Sequence, residues 1–153
     1  SASYTDVYDR AGMLTPRSIM AHCIHLSSGE IAVLAKRQTK VAFCPYSNRT
    51  LRSGIMPYKT LRDAGLNVSL GTDIAGGPSL SMLEQMDQAV RAANISQDES
   101  LYLATLGGAT ALGLADRIGS FQPGKDADFV VVDQKRVQEV YVRGKLVYFK
   151  ANE

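Results

Sequence analysis

Two polar side chains follow short apolar segments of the sequence, and their types could together perform metal-assisted hydrolysis. Asp73 comes after residues 67–70 and a Gly-Thr pair, and His22 comes directly after residues 18–21. In a parallel β/α fold, catalytic side chains stand at the carboxyl ends of the strands. A carboxylate can bind a metal ion and accept a proton, and an imidazole can position or exchange one. The alternatives are a helix or turn cap for Asp73 and a core histidine for His22.

Three strand-like segments, residues 18–21, 40–44 and 67–70, must position these side chains. They are separated by segments with helical periodicity, and this alternation predicts an α/β fold with a parallel sheet and right-handed crossovers. The carboxyl ends of parallel strands open at one edge of the sheet. We therefore expect His22 and Asp73 to lie on the same side.

The loop predicted after the second strand supplies two further candidates. Ser47 and Asn48 follow Pro45 and carry short polar side chains that could line a substrate pocket between His22 and Asp73. The alternative is a Ser-Asn pair that only forms a turn.

Capping-box spacing predicts where two helices begin. Ser27 with Glu30 precedes the first, and Ser81 with Glu84 precedes a longer one. The apolar face of the longer helix is predicted to carry Leu83, Met86, Val90 and Ala93. Residues 101–114 predict a further helical segment that is interrupted at its two adjacent glycines.

The character of the chain changes after residue 117. Residues 118–128 are rich in turn formers and lead to a predicted strand at 129–132, and residues 143–145 predict the turn of a hairpin. We therefore predict two parts: a β/α part at 1–117 and a small antiparallel β appendage at 118–153.

Composition argues against several classes of protein. The 17 Lys and Arg against 15 Asp and Glu give a formal charge of +2 with no block of one sign, which argues against binding to nucleic acid or a membrane surface. With no long apolar segment and no signal pattern, we expect a soluble cytoplasmic protein.

The two cysteines are predicted to be buried thiols rather than a disulfide, because Cys23 and Cys44 lie in apolar segments. Strand alternation places His22 and Cys23 on opposite faces. These residues are therefore not expected to join His25 and Cys44 in a four-ligand structural zinc site.

A resemblance to a known family is carried by five segments, residues 4–10, 20–27, 43–48, 71–83 and 103–108. Together they are similar to the second half of the guanine deaminases, within the amidohydrolase superfamily. The resemblance implies the last three βα units of a (β/α)₈ TIM-type barrel, followed by part of a small β-sandwich domain. It also implies a homodimer and a small purine substrate.

By this resemblance, Asp73 ends the eighth barrel strand, binds one zinc ion and accepts a proton from the attacking water. His22 ends the sixth strand and hydrogen-bonds that water or the substrate. The implied reaction is hydrolysis of guanine to xanthine and ammonia. The family's other zinc ligands, a His-x-His pair and a further histidine, and its glutamate proton shuttle have no counterpart among the 153 residues. We therefore expect the chain to be part of a longer polypeptide and to be inactive alone.

Two other functions stay open from the sequence. One is a different amidohydrolase reaction, such as deamination of another purine or of a thioadenosyl nucleoside, or dechlorination of a triazine. The other is a non-catalytic half-barrel. Residues that would select the substrate fall largely in the strands that the chain lacks, so the sequence does not separate these classes.

Overall fold

The computed structural model describes residues 3–151, which form a mixed α/β fold with two three-stranded sheets. The helices are α1 (Tyr4–Arg10), α2 (Ser28–Lys36), α3 (Pro45–Thr50), α4 (Tyr58–Asp63), α5 (Met82–Ala93), α6 (Gln97–Ala104) and α7 (Leu106–Ala111). The strands are β1 (Ile19–Ala21), β2 (Lys40–Phe43), β3 (Val68–Leu70), β4 (Phe129–Asp133), β5 (Arg136–Val142) and β6 (Lys145–Phe149).

The first sheet is parallel in the order β1-β2-β3, as the sequence predicted, with Phe43 opposite Leu70. All three carboxyl ends therefore meet at one edge. The second strand ends at Phe43, one residue earlier than predicted, because Cys44 is the N-cap of α3 and Pro45 is at its start. A proline has no N–H to continue a strand ladder, but it suits the first turn of a helix.

The core lies between this sheet and its helices. Val41 and Phe43 of β2 are 0% and 1% exposed, and they belong to one buried cluster with Leu34 of α2 and Leu61 of α4. All three residues of β3 are buried as well. Since full burial of one such side chain is worth about 1.5–3 kcal/mol, the cluster holds the ends of β2 and β3 firmly in place.

Both predicted cap serines begin their helices, but of these two helices only α2 has the complete reciprocal capping box. In α2, the Ser27 hydroxyl accepts from the Glu30 N–H, and the Glu30 carboxylate accepts from the Ser27 N–H at 2.9 Å. The Ser27 N–H and hydroxyl both donate to the Glu30 carboxylate, as does the Thr5 hydroxyl, and these hydrogen bonds lower the pKa of Glu30 to about 2. In α5, the Ser81 hydroxyl accepts from the N–H of Glu84.

The buried face of α5 differs from the predicted one. Gln85 and Ala89 are fully buried, whereas the predicted apolar residues are half-buried. The helix packs against α3, α6 and β3, and the small side chain of Ala89 permits this close approach. Helical periodicity alone does not show which of two adjacent stripes faces the neighbouring elements.

Two further local predictions were wrong. The predicted loop at Ser47 and Asn48 is the short helix α3. The break in the later helical segment falls at Thr105, and the glycines lie inside α7. At Gly107, a Cβ atom would lie 3.1 Å from the carbonyl oxygen of Val68, so glycine lets α7 approach β3 rather than interrupting the helix.

The second sheet is antiparallel in the order β4-β5-β6, and the predicted hairpin is present. Both connections are two-residue turns, Gln134-Lys135 and Arg143-Gly144, in which each residue has a positive φ. Two-residue turns of this class have a backbone twist that matches the twist of the two flanking strands. The division at residue 117 stays a prediction, and residues 1–2 and 152–153 of the two predicted parts lie outside the described residues.

Both cysteines are free and buried, as predicted. In the part of the chain from 3 to 151, no helix is long and apolar enough to cross a membrane.

Candidate active site

His22 and Asp73 come together at the carboxyl edge of the parallel sheet. The Nε2 atom of His22 lies 3.8 Å from Oδ2 of Asp73, and the two side chains are 39% and 34% exposed. Each follows its strand by one to three residues. The pair therefore offers a nitrogen and an oxygen at a surface that a small molecule can reach.

The backbone makes an unusual turn at both residues. His22 and Cys23 have φ values of 67° and 47°, and Asp73 has a φ of 48°. Residues other than glycine occupy this left-handed region at a cost of order 1–3 kcal/mol, and such residues cluster at functional sites. The His22 N–H still donates to the Ala42 carbonyl at 2.9 Å, so the turn begins directly where the β1–β2 ladder ends.

Two glycines after Asp73 shape its surroundings. The N–H groups of Gly76 and Gly77 donate to the Asp73 carbonyl at 3.0 and 2.6 Å. A Cβ atom on Gly76 would lie 2.6 Å from the Asp73 carboxylate oxygen, and one on Gly77 would lie 2.7 Å from the Thr72 carbonyl. Only glycine fits both places. This role was not predicted from the sequence, and the signal that could have revealed it is the Gly-Gly pair closely following a strand-end aspartate.

Asn48 contacts His22 from the side opposite Asp73. Its Oδ1 atom lies 2.8 Å from Nδ1 of His22, and the residue is only 3% exposed. The amide nitrogen of Asn48 has no hydrogen-bond partner among residues 3–151. Asn48 therefore touches the candidate site through the histidine ring.

Ser47 and His25 form hydrogen bonds with backbone carbonyls rather than with the pair. Ser47 is 0% exposed, and its hydroxyl donates to the Cys44 carbonyl at 3.2 Å. His25 is exposed, with Nε2 3.0 Å from the carbonyl oxygen of Ser53. Contact of Ser47 with a substrate stays a prediction, and the structure gives its hydroxyl a partner within α3 instead.

Cys44 lies beside the site as a neutral thiol. Burial raises its pKa to about 11, and the negative charge of Asp73 acts in the same direction. A thiol must be ionised to act as a nucleophile or a zinc ligand. Cys44 is therefore a packing residue next to the candidate site.

The pair fits part of a zinc site. Zinc binds carboxylate oxygen and imidazole nitrogen, and a catalytic zinc has three protein ligands. Asp73 and His22 offer the right donor types, but within the described residues no group of three or more His, Cys, Asp or Glu could hold a metal ion. Any complete coordination shell must therefore include donors from outside this set.

A family model for the amidohydrolase family matches residues 1–147, and the chain belongs to that family. Within it, similar curated relatives include guanine deaminases of bacteria and eukaryotes. The chain is 45% identical over 135 residues to a probable guanine deaminase of Deinococcus radiodurans, an alignment that covers 83% of this chain and 31% of the relative. It is 42% identical over 135 residues to the guanine deaminase of Escherichia coli, an alignment that covers 85% of this chain and 31% of the relative. The chain thus spans about a third of the length of these relatives.

Solved structures of guanine deaminases and of an adenosine deaminase are also similar to this chain. The structure of E. coli guanine deaminase has a TM-score of 0.91 at 34% identity, covering 97% of this chain and 43% of that one. A guanine deaminase from C. acetobutylicum with bound guanine in the active site has a TM-score of 0.87 at 28% identity, with 97% and 43% covered. An adenosine deaminase from Xanthomonas campestris with bound zinc has a TM-score of 0.83 at 32% identity, with 90% and 38% covered.

Proposed function

We propose that this chain supplies one side of the active site of a guanine deaminase, which hydrolyses guanine to xanthine and ammonia in the natural full-length polypeptide. The observation that carries the proposal is the approach of His22 Nε2 to Asp73 Oδ2 at 3.8 Å, at the carboxyl edge of a parallel sheet. The similarity of the whole chain to guanine deaminases supports the choice of substrate.

In this proposal β1, β2 and β3 are the sixth, seventh and eighth strands of a (β/α)₈ barrel within residues 1–117. The antiparallel strands of residues 118–153 are part of a small β-sandwich domain. Parallel order and the fit to E. coli guanine deaminase over 97% of this chain support the assignment. A barrel of this kind needs about 250 residues, so the remaining strands would come from outside this chain.

Asp73 would bind one zinc ion, whose further ligands are not among the described residues. Zinc, when bound, lowers the pKa of a coordinated water to about 7. The Asp73 carboxylate would accept a proton from the attacking water, and His22 would hold that water or the substrate in place through Nε2. This chain alone would then be inactive, because one ligand, Asp73, does not complete a zinc site.

The polar face of α3 would complete this side of the pocket. We propose that Asn48 acts there through His22, and that Ser47 keeps the Cys44–Asn48 turn in shape through its hydrogen bond to Cys44. We further propose that the full-length enzyme is a cytoplasmic homodimer of purine catabolism that requires neither nucleic acid nor a membrane. Light scattering of the purified enzyme tests its assembly.

Ultraviolet spectroscopy tests the reaction. Zinc-loaded full-length enzyme should convert guanine to xanthine, with adenine, cytosine and a thioadenosyl nucleoside much slower. For adenine and the thioadenosyl nucleoside, discrimination is expected when a site hydrogen-bonds the ring carbonyl of guanine, which these compounds lack, because buried donors are then left unpaired. Faster loss of one of the other three compounds would refute the guanine assignment and keep a zinc hydrolase. Inactivity on all four would favour a non-catalytic half-barrel.

Deamination of an adenine-type purine is the second candidate. It is favoured by the adenosine deaminase structure with bound zinc, which matches 90% of this chain at a TM-score of 0.83. Adding adenosine to the same substrate series separates the two reactions, since guanine and adenosine give different spectral changes.

A further inference from the structure

We propose that Asn48 is a positioning residue that holds the proton of His22 on Nδ1, so that an unprotonated Nε2 faces Asp73. The inference deepens the proposed function, in which His22 Nε2 holds the attacking water. It concerns which ring nitrogen of His22 can accept a hydrogen bond at the site.

The Asn48 side chain is held in a fixed position. The residue is 3% exposed. Its N–H donates to the Cys44 carbonyl at 3.0 Å, and its own carbonyl accepts from the Ser53 N–H at 2.9 Å. Both backbone groups are therefore engaged, and a buried side chain with an anchored backbone has little freedom to turn away from His22.

The hydrogen bond to His22 determines the tautomer. With the Asn48 amide placed so that its oxygen faces the ring, the 2.8 Å contact between Oδ1 and Nδ1 of His22 assigns the proton to Nδ1, because an amide oxygen only accepts. A neutral imidazole carries one proton, which leaves a lone pair on Nε2. The 3.8 Å separation between Nε2 and the Asp73 carboxylate agrees with this assignment, because two acceptors do not hydrogen-bond to each other.

The arrangement has a chemical consequence. A carboxylate and an imidazole lone pair that face the same space can both accept hydrogen bonds from one water, which orients that water by its two protons. In the opposite tautomer, Nε2–H would donate to Asp73 or to the water oxygen, and the nucleophilic lone pair would be engaged. Asn48 thereby selects the orientation of the water without touching it.

His25 provides an internal comparison. Its Nε2 atom lies 3.0 Å from the carbonyl oxygen of Ser53. A backbone carbonyl only accepts, so His25 must carry its proton on Nε2. The two histidines of this chain are therefore expected to be opposite tautomers in the same molecule.

The test is nitrogen-15 NMR of the natural full-length polypeptide labelled in its histidines, at a mildly alkaline pH where a free imidazole is neutral. Signals are assigned by their loss in the His22→Gln and His25→Gln variants. We expect Nδ1–H for His22 and Nε2–H for His25. An Nε2–H tautomer of His22 in the unmodified protein overturns the proposal, whether or not the protein deaminates guanine.

Two substitutions at Asn48 separate positioning from packing. Asn48→Leu keeps the volume but removes the acceptor, so His22 should lose its Nδ1–H preference while His25 stays unchanged. Asn48→Asp keeps an acceptor and removes the amide nitrogen, so the tautomer should be retained. If the leucine variant does not fold, the aspartate variant and the unmodified protein still decide the question.

Kinetics supply the second readout. Substitution of a residue that orients an active-site group typically costs about 10–100-fold in activity. In Asn48→Leu this loss should appear in kcat with KM changed less than about threefold, and Asn48→Asp should restore most of it. A leucine variant with an unchanged His22 tautomer, or with kcat within twofold of the original, contradicts the inference. A protein that has the expected tautomers but does not turn over guanine contradicts only the proposed function.

Discussion

The two sheets of this molecule are built from similar apolar strands but differ in how they are covered. In the parallel sheet, Val41 and Phe43 are 0% and 1% exposed, whereas Val147 and Phe149 of the antiparallel sheet are 59% and 58% exposed. Helices pack on the first sheet, while the second is held together by its own strand pairing and by aromatic contacts such as Phe129 on Tyr141. The buried sheet is the one that carries the candidate site.

Positive φ angles have different uses in the two regions. In the antiparallel sheet they occur at hairpin turns such as Gln134-Lys135, where they reverse the chain. In the parallel region they occur at His22 and Asp73, which carry the polar groups of the site. The difference teaches that a buried, over-determined sheet can support strained strand ends that present chemistry.

The largest expected effect comes from Asp73→Asn, which removes the proton acceptor and weakens the metal ligand. We expect kcat of the full-length enzyme for guanine to fall by about 10³-fold or more. Asp116→Asn is the matched control, because Asp116 is exposed and lies far along the chain. Steady-state kinetics that show equal losses in both variants would remove Asp73 from the site.

Comparing Leu61→Ala with Leu146→Ala tests whether the buried core around the parallel sheet contributes more to stability than the exposed antiparallel sheet. Leu61 is 0% exposed and Leu146 is 51% exposed. In the 153-residue chain, the first change should lower the free energy of unfolding by about 2–5 kcal/mol through cavity formation, and the second by less than about 1 kcal/mol. Denaturant titration gives both values.

The same pair of variants in the full-length polypeptide makes the comparison sharper. If the antiparallel strands belong to a β-sandwich, the cost of Leu146→Ala should rise there toward that of a buried leucine. If Leu146→Ala still lowers the free energy of unfolding by less than about 1 kcal/mol, the second sheet stays exposed in the full-length polypeptide. That result would argue against a β-sandwich.

Gly76→Ala tests how its surroundings hold the Asp73 carboxylate in place. The added Cβ would lie 2.6 Å from Asp73 Oδ2, so the carboxylate must move, and a displacement near 1 Å can cost about 10²-fold in rate. We expect kcat to fall about 10–100-fold with little loss of stability. Gly29→Ala is the control, since a Cβ there meets nothing within 4 Å. Equal kcat values for the two variants would show that the Gly76 contact does not matter.

The smallest expected effect is a dependence of stability on pH from Glu30. Hydrogen bonds from Ser27 lower the Glu30 pKa from 4.5 to about 2 in the folded state. Its stabilisation is therefore present above about pH 4.5 and is lost as pH falls through about 2. Glu30→Gln should remove this pH dependence, at a cost at neutral pH of no more than about 1 kcal/mol because the group is solvated. Parallel pH profiles of stability for the two proteins would refute the role of the carboxylate.

The sequence predicted the parallel sheet because strand-like and helix-like segments alternate in it, and the Ser81 cap because its spacing with Glu84 is specific. It also placed His22 and Asp73 at strand ends. It did not predict α3, since a six-residue helix that begins with proline has too few turns to show periodicity. The burial of Ser47 could not be predicted from the sequence either, because it depends on tertiary packing.

The contact between Asn48 and His22 joins residues that are 26 positions apart in the sequence. A local sequence pattern does not predict a contact between residues so far apart. The role of Gly107 was misjudged for a related reason. A glycine pair in a helical segment is typical of a break, but here Gly107 admits the carbonyl of Val68 from another element. Local rules thus placed the two candidate residues at strand ends, and the contacts that orient them came only from the folded chain.

The most direct test of the central claim, that Asp73 and His22 form one side of a zinc hydrolase site with different roles, is the zinc content of three purified full-length proteins. By elemental analysis, the unmodified enzyme should hold about one zinc per chain, Asp73→Asn should lose most of it, and His22→Ala should retain it while losing turnover. Equal loss of zinc from both variants would make His22 a ligand. Full zinc retention in Asp73→Asn would contradict the account.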